Sequence, residues 1–343
     1  MEEPLLQLSD AGLYCPAGDF HIDPWRPVAR ALITHAHGDH ARGGSDAYLA
    51  AAEGWPLLAT RLPPESTIET CVYGERRRMG EIDVSFHPAG HVLGSAQIRL
   101  EHRGRVWVVS GDYKLAGDPT CVAFEPVRAH VFVTESTFGL PIYRWDPVAK
   151  TIANIARWWE DNRLDRHASV LFAYSLGKAQ RVLAELLAHY HGALPDRVFC
   201  HGAVERINAA YRAAGVALPA TVAVGEAASD TQWAGALVIA PPSARGSRWM
   251  RRFVPFSTGF ASGWMAIRGA RRRASYDRGF ALSDHADWDA LNSAITQAQA
   301  EEVWVTHGYR DELVRWLTDR GCNARSVATH FEGEAGAELE QPA

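Results

Sequence analysis

"THAHGDH", residues 34 to 40, places three histidines and one aspartate within the six positions from His35 to His40. Histidines two apart on extended chain point to the same side, so His35 and His37 can share one ion. Asp39 and His40, past Gly38, face elsewhere as the backbone turns. Four ligands from six consecutive residues do not readily form a tetrahedron around a single ion. Imidazole and carboxylate are suitable ligands for zinc, manganese or iron. Whether the stretch serves one ion or two depends on what the rest of the chain brings to it.

A repeated pattern supplies further ligands. Short apolar, β-branched runs each end in a polar residue able to do chemistry. "VARALIT" ends at His35, "RVWVVSG" at Asp112, "AHVFVT" at Glu135 and "EEVWVT" at His307, while "IDVSFHPAG" runs more loosely into His91. Such runs read as buried strands. Reactive groups just past the C-terminal ends of strands are the usual α/β arrangement, because the sheet is a rigid base for loops. With His91, Asp112 and His307 added, a two-metal site becomes available. A bridging carboxylate would hold its ions ~3.5–4 Å apart.

Helical periodicity fills the gaps. "DPVAKTIANIARWWEDN" predicts a helix with Asp146 as N-cap and Pro147 in the first turn. "GKAQRVLAELLAHYH", "AVERINAAYRAAG" and "DWDALNSAITQAQ" follow the same period, and "DELVRWLTDRG" closes on Gly321. His307 comes 195 residues after Asp112. If both serve one site, the chain leaves it, builds something and returns. We therefore expect a first domain of residues 1–136 and 282–331. A second α/β domain, residues 137–281, is inserted into it and carries its own strands in "ASVLFAYS", "DRVFCHG" and "ALVIAPP". The acidic tail, 332–343, reads as disordered.

Composition bounds the function. The chain has 343 residues, 47% of them apolar and 22% charged, as in an ordinary globular protein. No apolar run approaches the ~18 residues of a membrane span. The start, "MEEPLLQLSD", lacks the basic segment of a signal peptide, so a cytoplasmic protein is expected, without a membrane partner. Five widely spaced cysteines with no C-x-x-C pair argue against disulfides and a thiolate zinc site. Net charge is −5, but residues 241–280 hold nine arginines against one acid, Asp277. That segment is +8 and the remainder −13, a local footprint for a polyanion or else a solvated arginine-rich face.

The combined motifs resemble a known family. "THAHGDH" with "HIDP" before it, "GHVLGSA" and "SGDY" are similar to the metallo-β-lactamase fold, an α/β αββα sandwich. "TESTFG", "SDHAD" and "VTHG" resemble the additional motifs of its β-CASP branch, nucleases of DNA and RNA with an inserted α/β domain. "AYSLGKAQRVL", "SGWM" and "GFALSDHADW" are most similar to bacterial ligase-associated DNA exonucleases. The resemblance implies two divalent ions, Zn²⁺ or Mn²⁺. His35, His37 and His91 would hold the first, Asp39, His40 and His307 the second, and Asp112 would bridge. Asp23 would orient a ligand histidine or the metal water. His285 would protonate the leaving oxygen, with Glu135 fixing its tautomer. Hydroxide attack on phosphorus would then leave a 5′-phosphate and a 3′-hydroxyl.

The substrate expected from this narrower resemblance is DNA, cut exonucleolytically in repair, on single-stranded ends and from the 5′ end. Functional association with a DNA ligase and a helicase would follow. The alternative is an RNA-processing nuclease of the same branch, since the chemistry at phosphorus is common to both. A thioester or lactam hydrolase would leave Glu135 and His285 redundant, and the complete ligand set disfavours a non-catalytic binding protein. For substrate phosphates the candidates are Lys178 and Arg181 in "SLGKAQR", Ser175, His201, and Arg245 and Arg248 beyond a strand end. Trp249, Phe253, Phe256, Phe260, Trp264, Tyr276 and Phe280 lie among the arginines. They suit either base stacking or a core.

Overall fold

Alternation within "RVWVV" sorts one sheet's side chains into two layers. The computed structural model describes residues 4–267 and 275–329. In it the strand Arg105–Val109 turns Trp107 and Val109 into a core with Leu32, Val84, Phe86, Ile98 and Trp304. Val108 faces the other way and packs with Phe132, Val305, Trp288, Ile295, Leu313 and Leu317. The period of two thus gives a sheet buried on both faces. Each large apolar side chain so buried contributes about 1.5–3 kcal/mol.

Seven strands form that sheet, in the order Ala324–Ser326, Glu302–Val305, Val131–Thr134, Arg105–Val109, Ala96–His102, Ile82–Pro88 and Arg77–Met79. A six-stranded sheet packs on its inner face, running from Gln7–Ser9 through Gly12–Cys15, Phe20–Ile22, Arg30–Ile33 and Ala47–Ala51 to Ile68–Cys71. The helices Trp288–Ala298 and Arg310–Thr318 cover the outer face of the first sheet. Val131–Thr134 is parallel to both Arg105–Val109 and Glu302–Val305, so these three strands end at one edge. Ile82–Pro88 ends there too, because two successive antiparallel pairings restore its direction. The arrangement is an α/β sandwich.

The chain divides into two compact units, Met1–Tyr143 with His285–Ala343, and Arg144–Asp284. The division thus falls at 143/144 and 284/285 rather than at 136/137 and 281/282. The second unit is a six-stranded, all-parallel sheet in the order Val222–Ala223, Val198–Cys200, Leu237–Ala240, Ala168–Phe172, Phe256–Ala261 and Arg278–Phe280. One face meets the helices Val148–Leu164 and Lys178–His189 through Ile155, Trp159, Val182 and Leu183. The helix Gly202–Ala213 adds Val204 to the same layer. The other face is covered by the arginine-rich segment itself. Phe253 and Phe260 are buried there, with Trp249, Phe256, Trp264 and Tyr276 packed against them, so these aromatics form a core. Arg268, Arg271, Arg272 and Arg273 lie outside the described residues, as does the tail 332–343.

One local expectation is corrected. The helix Val148–Leu164 is capped by Pro147, with no side-chain cap. Asp146 instead pairs with Lys150 at 3.0 Å, one helical turn on. All five cysteines are free thiols. No helix among the described residues is long and apolar enough to cross a membrane.

Candidate metal centre

Donor atoms meet where the strands of the first unit end. His35 follows Arg30–Ile33, Asp112 follows Arg105–Val109, His307 follows Glu302–Val305, and His91 lies three residues beyond Ile82–Pro88. His37 Nδ1 is 3.0 Å from His35 Nε2 and 3.0 Å from His91 Nε2. Asp112 Oδ2 is 3.5 Å from His35 Nε2 and 3.8 Å from His91 Nε2. Ligands about 2.0–2.1 Å from a tetrahedral ion stand about 3.3 Å from one another, so this spacing fits one. The same Asp112 oxygen is 3.4 Å from His40 Nε2, and Asp39 Oδ2 is 3.7 Å from that nitrogen. The His307 ring stacks on His40 at 5.5 Å. One carboxylate oxygen is therefore within 3.8 Å of ring nitrogens from both sets of donors.

The local chain explains how these side chains are aimed. His37 is followed by a turn in which the amides of His40 and Ala41 donate to its carbonyl, so the chain reverses between the two sets. Asp23, held at φ 43°, accepts from the Thr34 amide at 2.8 Å and the Thr34 hydroxyl at 2.6 Å. Its Oδ2 is also 2.7 Å from His40 Nδ1. That bond commits Nδ1 as donor and turns the Nε2 lone pair toward Asp112. His40 Nε2 is buried and meets no hydrogen-bond partner among the described residues. An orphaned ring nitrogen facing two carboxylates is what a ligand atom looks like, so the residues fit a second divalent ion. Gly111, at φ 55°, is required by proximity as well, since a β-carbon there would come 2.7 Å from Thr34.

Charges are coupled across the cluster. Burial opposes charge on His40, but Asp112, Asp39 and Asp23 overcome it and raise its pKa well above the ordinary value, so a metal ion binding at Nε2 would displace a proton there. Burial likewise opposes charge on Asp112, yet His40 and His285 hold its pKa well below the usual carboxylate range. Burial lowers His35 and His307, so both stay neutral, the form that binds metal.

A proton-handling pair adjoins the donors. His285 Nδ1 is 2.9 and 3.1 Å from the two Glu135 oxygens, and 4.0 Å from Asp112 Oδ2. The Tyr113 amide donates to Glu135 at 2.8 Å. Both residues are about 1% exposed. Two groups of metal-capable donors therefore overlap at Asp112: His35, His37, His91 and Asp112, and Asp112, Glu135 and His285. All ten residues expected at the centre are brought to this edge. Sequence reasoning gave no part to Thr34, whose hydroxyl links Asp23, His35 and His40. Its place inside the signature was the only hint.

Comparison with known proteins agrees with this geometry. A probable DNA ligase from Opitutus terrae is 31% identical over 334 residues, 96% of this chain and 32% of that protein. Ribonuclease TTHA0252 from Thermus thermophilus is 26% identical over 50% of this chain and 46% of that protein. An RNase J-like protein from Methanocaldococcus jannaschii is 30% identical over 34% of this chain and 28% of its own length. The chain belongs to the metallo-β-lactamase/β-CASP nuclease superfamily. No family model matches it. It spans less than half the length of each of these relatives. A solved protein of unknown function from Enterococcus faecalis shares the fold, with a TM-score of 0.57 and 12% identity over 89% of this chain and 80% of that one.

The phosphate candidates of this superfamily member lie in its second unit and have mixed surroundings. Lys178 is fully buried, 3.6 Å from Asp284 and 4.4 Å above the Tyr174 ring. Arg181, also buried, donates to the Ser283 carbonyl at 2.5 Å and to Asp284 at 3.3 Å. Both cations are buried beside Asp284. Ser175 is buried, and its hydroxyl has no partner among the described residues. His201 caps the helix Gly202–Ala213, its Nδ1 accepting from the Ala203 amide at 3.2 Å, and burial lowers its pKa. Arg245 and Arg248 are exposed, and Arg245 stacks on Tyr276 at 4.1 Å.

Proposed function

We propose that this protein is a two-metal phosphodiesterase that cuts nucleic acid. The observation that carries the reading is the position of Asp112 Oδ2 within 3.8 Å of ring nitrogens from both the His35/His37/His91 and the Asp39/His40 donors, 4.0 Å from a histidine held by Glu135. His35, His37, His91 and Asp112 would hold one ion, and Asp39, His40, His307 and Asp112 the other. Glu135 is the weaker ligand, since its oxygens already accept from Tyr113 and His285. When bound, two such ions supply a water nucleophile at neutral pH and offset phosphate charge, and an all-N/O donor set suits Zn²⁺ or Mn²⁺.

The chain's own groups do the rest. Asp23 keeps His40 in one tautomer. Glu135 accepts a hydrogen bond from His285 Nδ1–H, which leaves Nε2 of the protonated ring to deliver its proton to the departing oxygen. That donor is needed by an alkoxide leaving group and gives the pair a purpose in phosphodiester cleavage. Arg245 and Arg248 are the phosphate candidates we retain from the second unit; Lys178 and Arg181 serve that unit's interior.

RNA is the substrate that most relatives favour, because those named as ribonucleases are the more numerous. DNA ends remain the second reading, supported by the probable DNA ligase that aligns with 96% of the chain; association with a ligase activity belongs to that reading. End-labelled single-stranded and duplex RNA and DNA, compared side by side with Mn²⁺ and Zn²⁺, test both. Preferential cleavage of RNA supports the first, and processive loss of DNA ends with RNA intact supports the second. Inertness toward all four removes the nuclease reading.

A further inference from the structure

We infer that Arg61, on a helix packed between two ligand-bearing loops, contacts a substrate phosphate at the metal centre. The inference rests on the nuclease reading. The helix Trp55–Arg61 is fixed at both ends. At its start, Gly54 packs on Gly94, three residues past His91, where an added β-carbon would come 3.1 Å from the Gly94 carbonyl oxygen. At its end, the Arg61 guanidinium lies on Gly38, between His37 and Asp39. A β-carbon on Gly38 would overlap Nη2 and come 2.8 Å from Cζ and 3.4 Å from Nη1.

Gly38 is not among the glycines with positive φ, so its backbone does not demand glycine. What the position accommodates is the guanidinium. Arg61 is half-buried. A guanidinium is a planar set of five donors that matches phosphate oxygens, and it is weakly hydrated. One turn of chain carries His37, Asp39 and the seat of this cation. A phosphodiester approaching ions held by those two residues approaches Arg61 as well. A merely structural prop would also touch Gly38, but it would add nothing to the salt dependence of substrate binding.

The test uses the full chain loaded with metal and a labelled single-stranded oligonucleotide across a salt series. Arg61→Ala should raise KM about 10- to 100-fold, with kcat much less affected, as for loss of a hydrogen bond to a charged group. The slope of log KM against log salt should fall by about 0.7, the value of one phosphate contact on a single strand. Metal content should stay at the wild-type level. Arg61→Lys should recover the slope. Gly38→Ala displaces only the far end of a flexible side chain, so it should raise KM in the same direction. The double variant should be no worse than Arg61→Ala. An unchanged salt slope would overturn the inference, and so would loss of metal from Arg61→Ala. Fluorescence anisotropy of the same oligonucleotide separates this from failure of the nuclease reading. A wild-type chain that binds without cleaving defeats that reading, while the slope of its Kd still decides Arg61.

Discussion

Both units of the molecule carry polar residues just past parallel strand ends, yet the two edges differ in how those residues are satisfied. In the first unit, His35, His37, His91 and Asp112 converge donor atoms on a common point, and His40 Nε2 is left without a hydrogen-bond partner among the described residues. In the second, most of the corresponding groups close on one another, the buried Ser175 hydroxyl excepted. Lys178 and Arg181 meet Asp284, and Gln180 bonds Asn208 at 2.8 Å. Glu205 takes Arg212 at 2.7 Å and Thr221 at 2.6 Å. Strand-end polarity alone does not mark a reactive site. Buried donors that face each other without pairing do, because only an ion or a substrate can offset their desolvation.

The largest expected difference between the edges is in rate. His285→Ala should lower cleavage by about 10²–10⁴-fold while both ions are retained, the loss typical of a general acid. Steady-state kinetics with metal analysis checks it, and full activity would remove His285 from that role. The matching change in the second unit should act on stability. Arg181→Met leaves Asp284 with one cation fewer in a buried setting and should cost about 3–5 kcal/mol in denaturant unfolding, with metal content unaltered. A neutral result would mean that the ion pairs of that edge are dispensable.

Smaller effects sharpen the same contrast. Asp23→Ala removes the acceptor that aims His40 and should weaken metal affinity about 10–100-fold without unfolding the chain. Competition with a chelator measures it, and an unchanged affinity would show that Thr34 alone sets the ring. The smallest effect is on pH dependence. Burial opposes charge on Glu205, but Thr221, Arg212 and Asn208 hold its pKa below the ordinary value of 4.5. A depressed carboxyl stabilises the fold fully above that ordinary value and loses its contribution as pH falls through the folded pKa. Thermal midpoints below about pH 4.5 should therefore decline less steeply in Glu205→Gln than in the wild-type chain.

Much of the centre was legible in the sequence because each functional side chain follows a short apolar strand, and a strand's end fixes where the next residue lies. "VARALIT", "RVWVVSG" and "EEVWVT" all have this form; the strands ahead of Asp112 and His307 end at one edge of the seven-stranded sheet, and the strand ahead of His35 belongs to the six-stranded sheet packed on it. What stayed hidden depends on contacts across long separations. Nothing in "SLGKAQR" reveals that Arg181 pairs with Asp284, 103 residues on. Asp146 looked like an N-cap, but Pro147 occupies that position and leaves the carboxylate for Lys150. Arg61 gave no signal either, since its relation to Gly38 exists only once a helix is placed against the ligand turn.

The central claim is that one carboxylate serves two ions, and metal stoichiometry tests it most directly. Elemental analysis of the purified chain, reconstituted with excess Mn²⁺ or Zn²⁺ and then freed of unbound ion, should find about two ions per chain. Asp112→Ala should lose both together, because its Oδ2 lies within 3.8 Å of donors from each set. A single ion in the wild-type chain, or two ions undiminished in Asp112→Ala, would contradict the account.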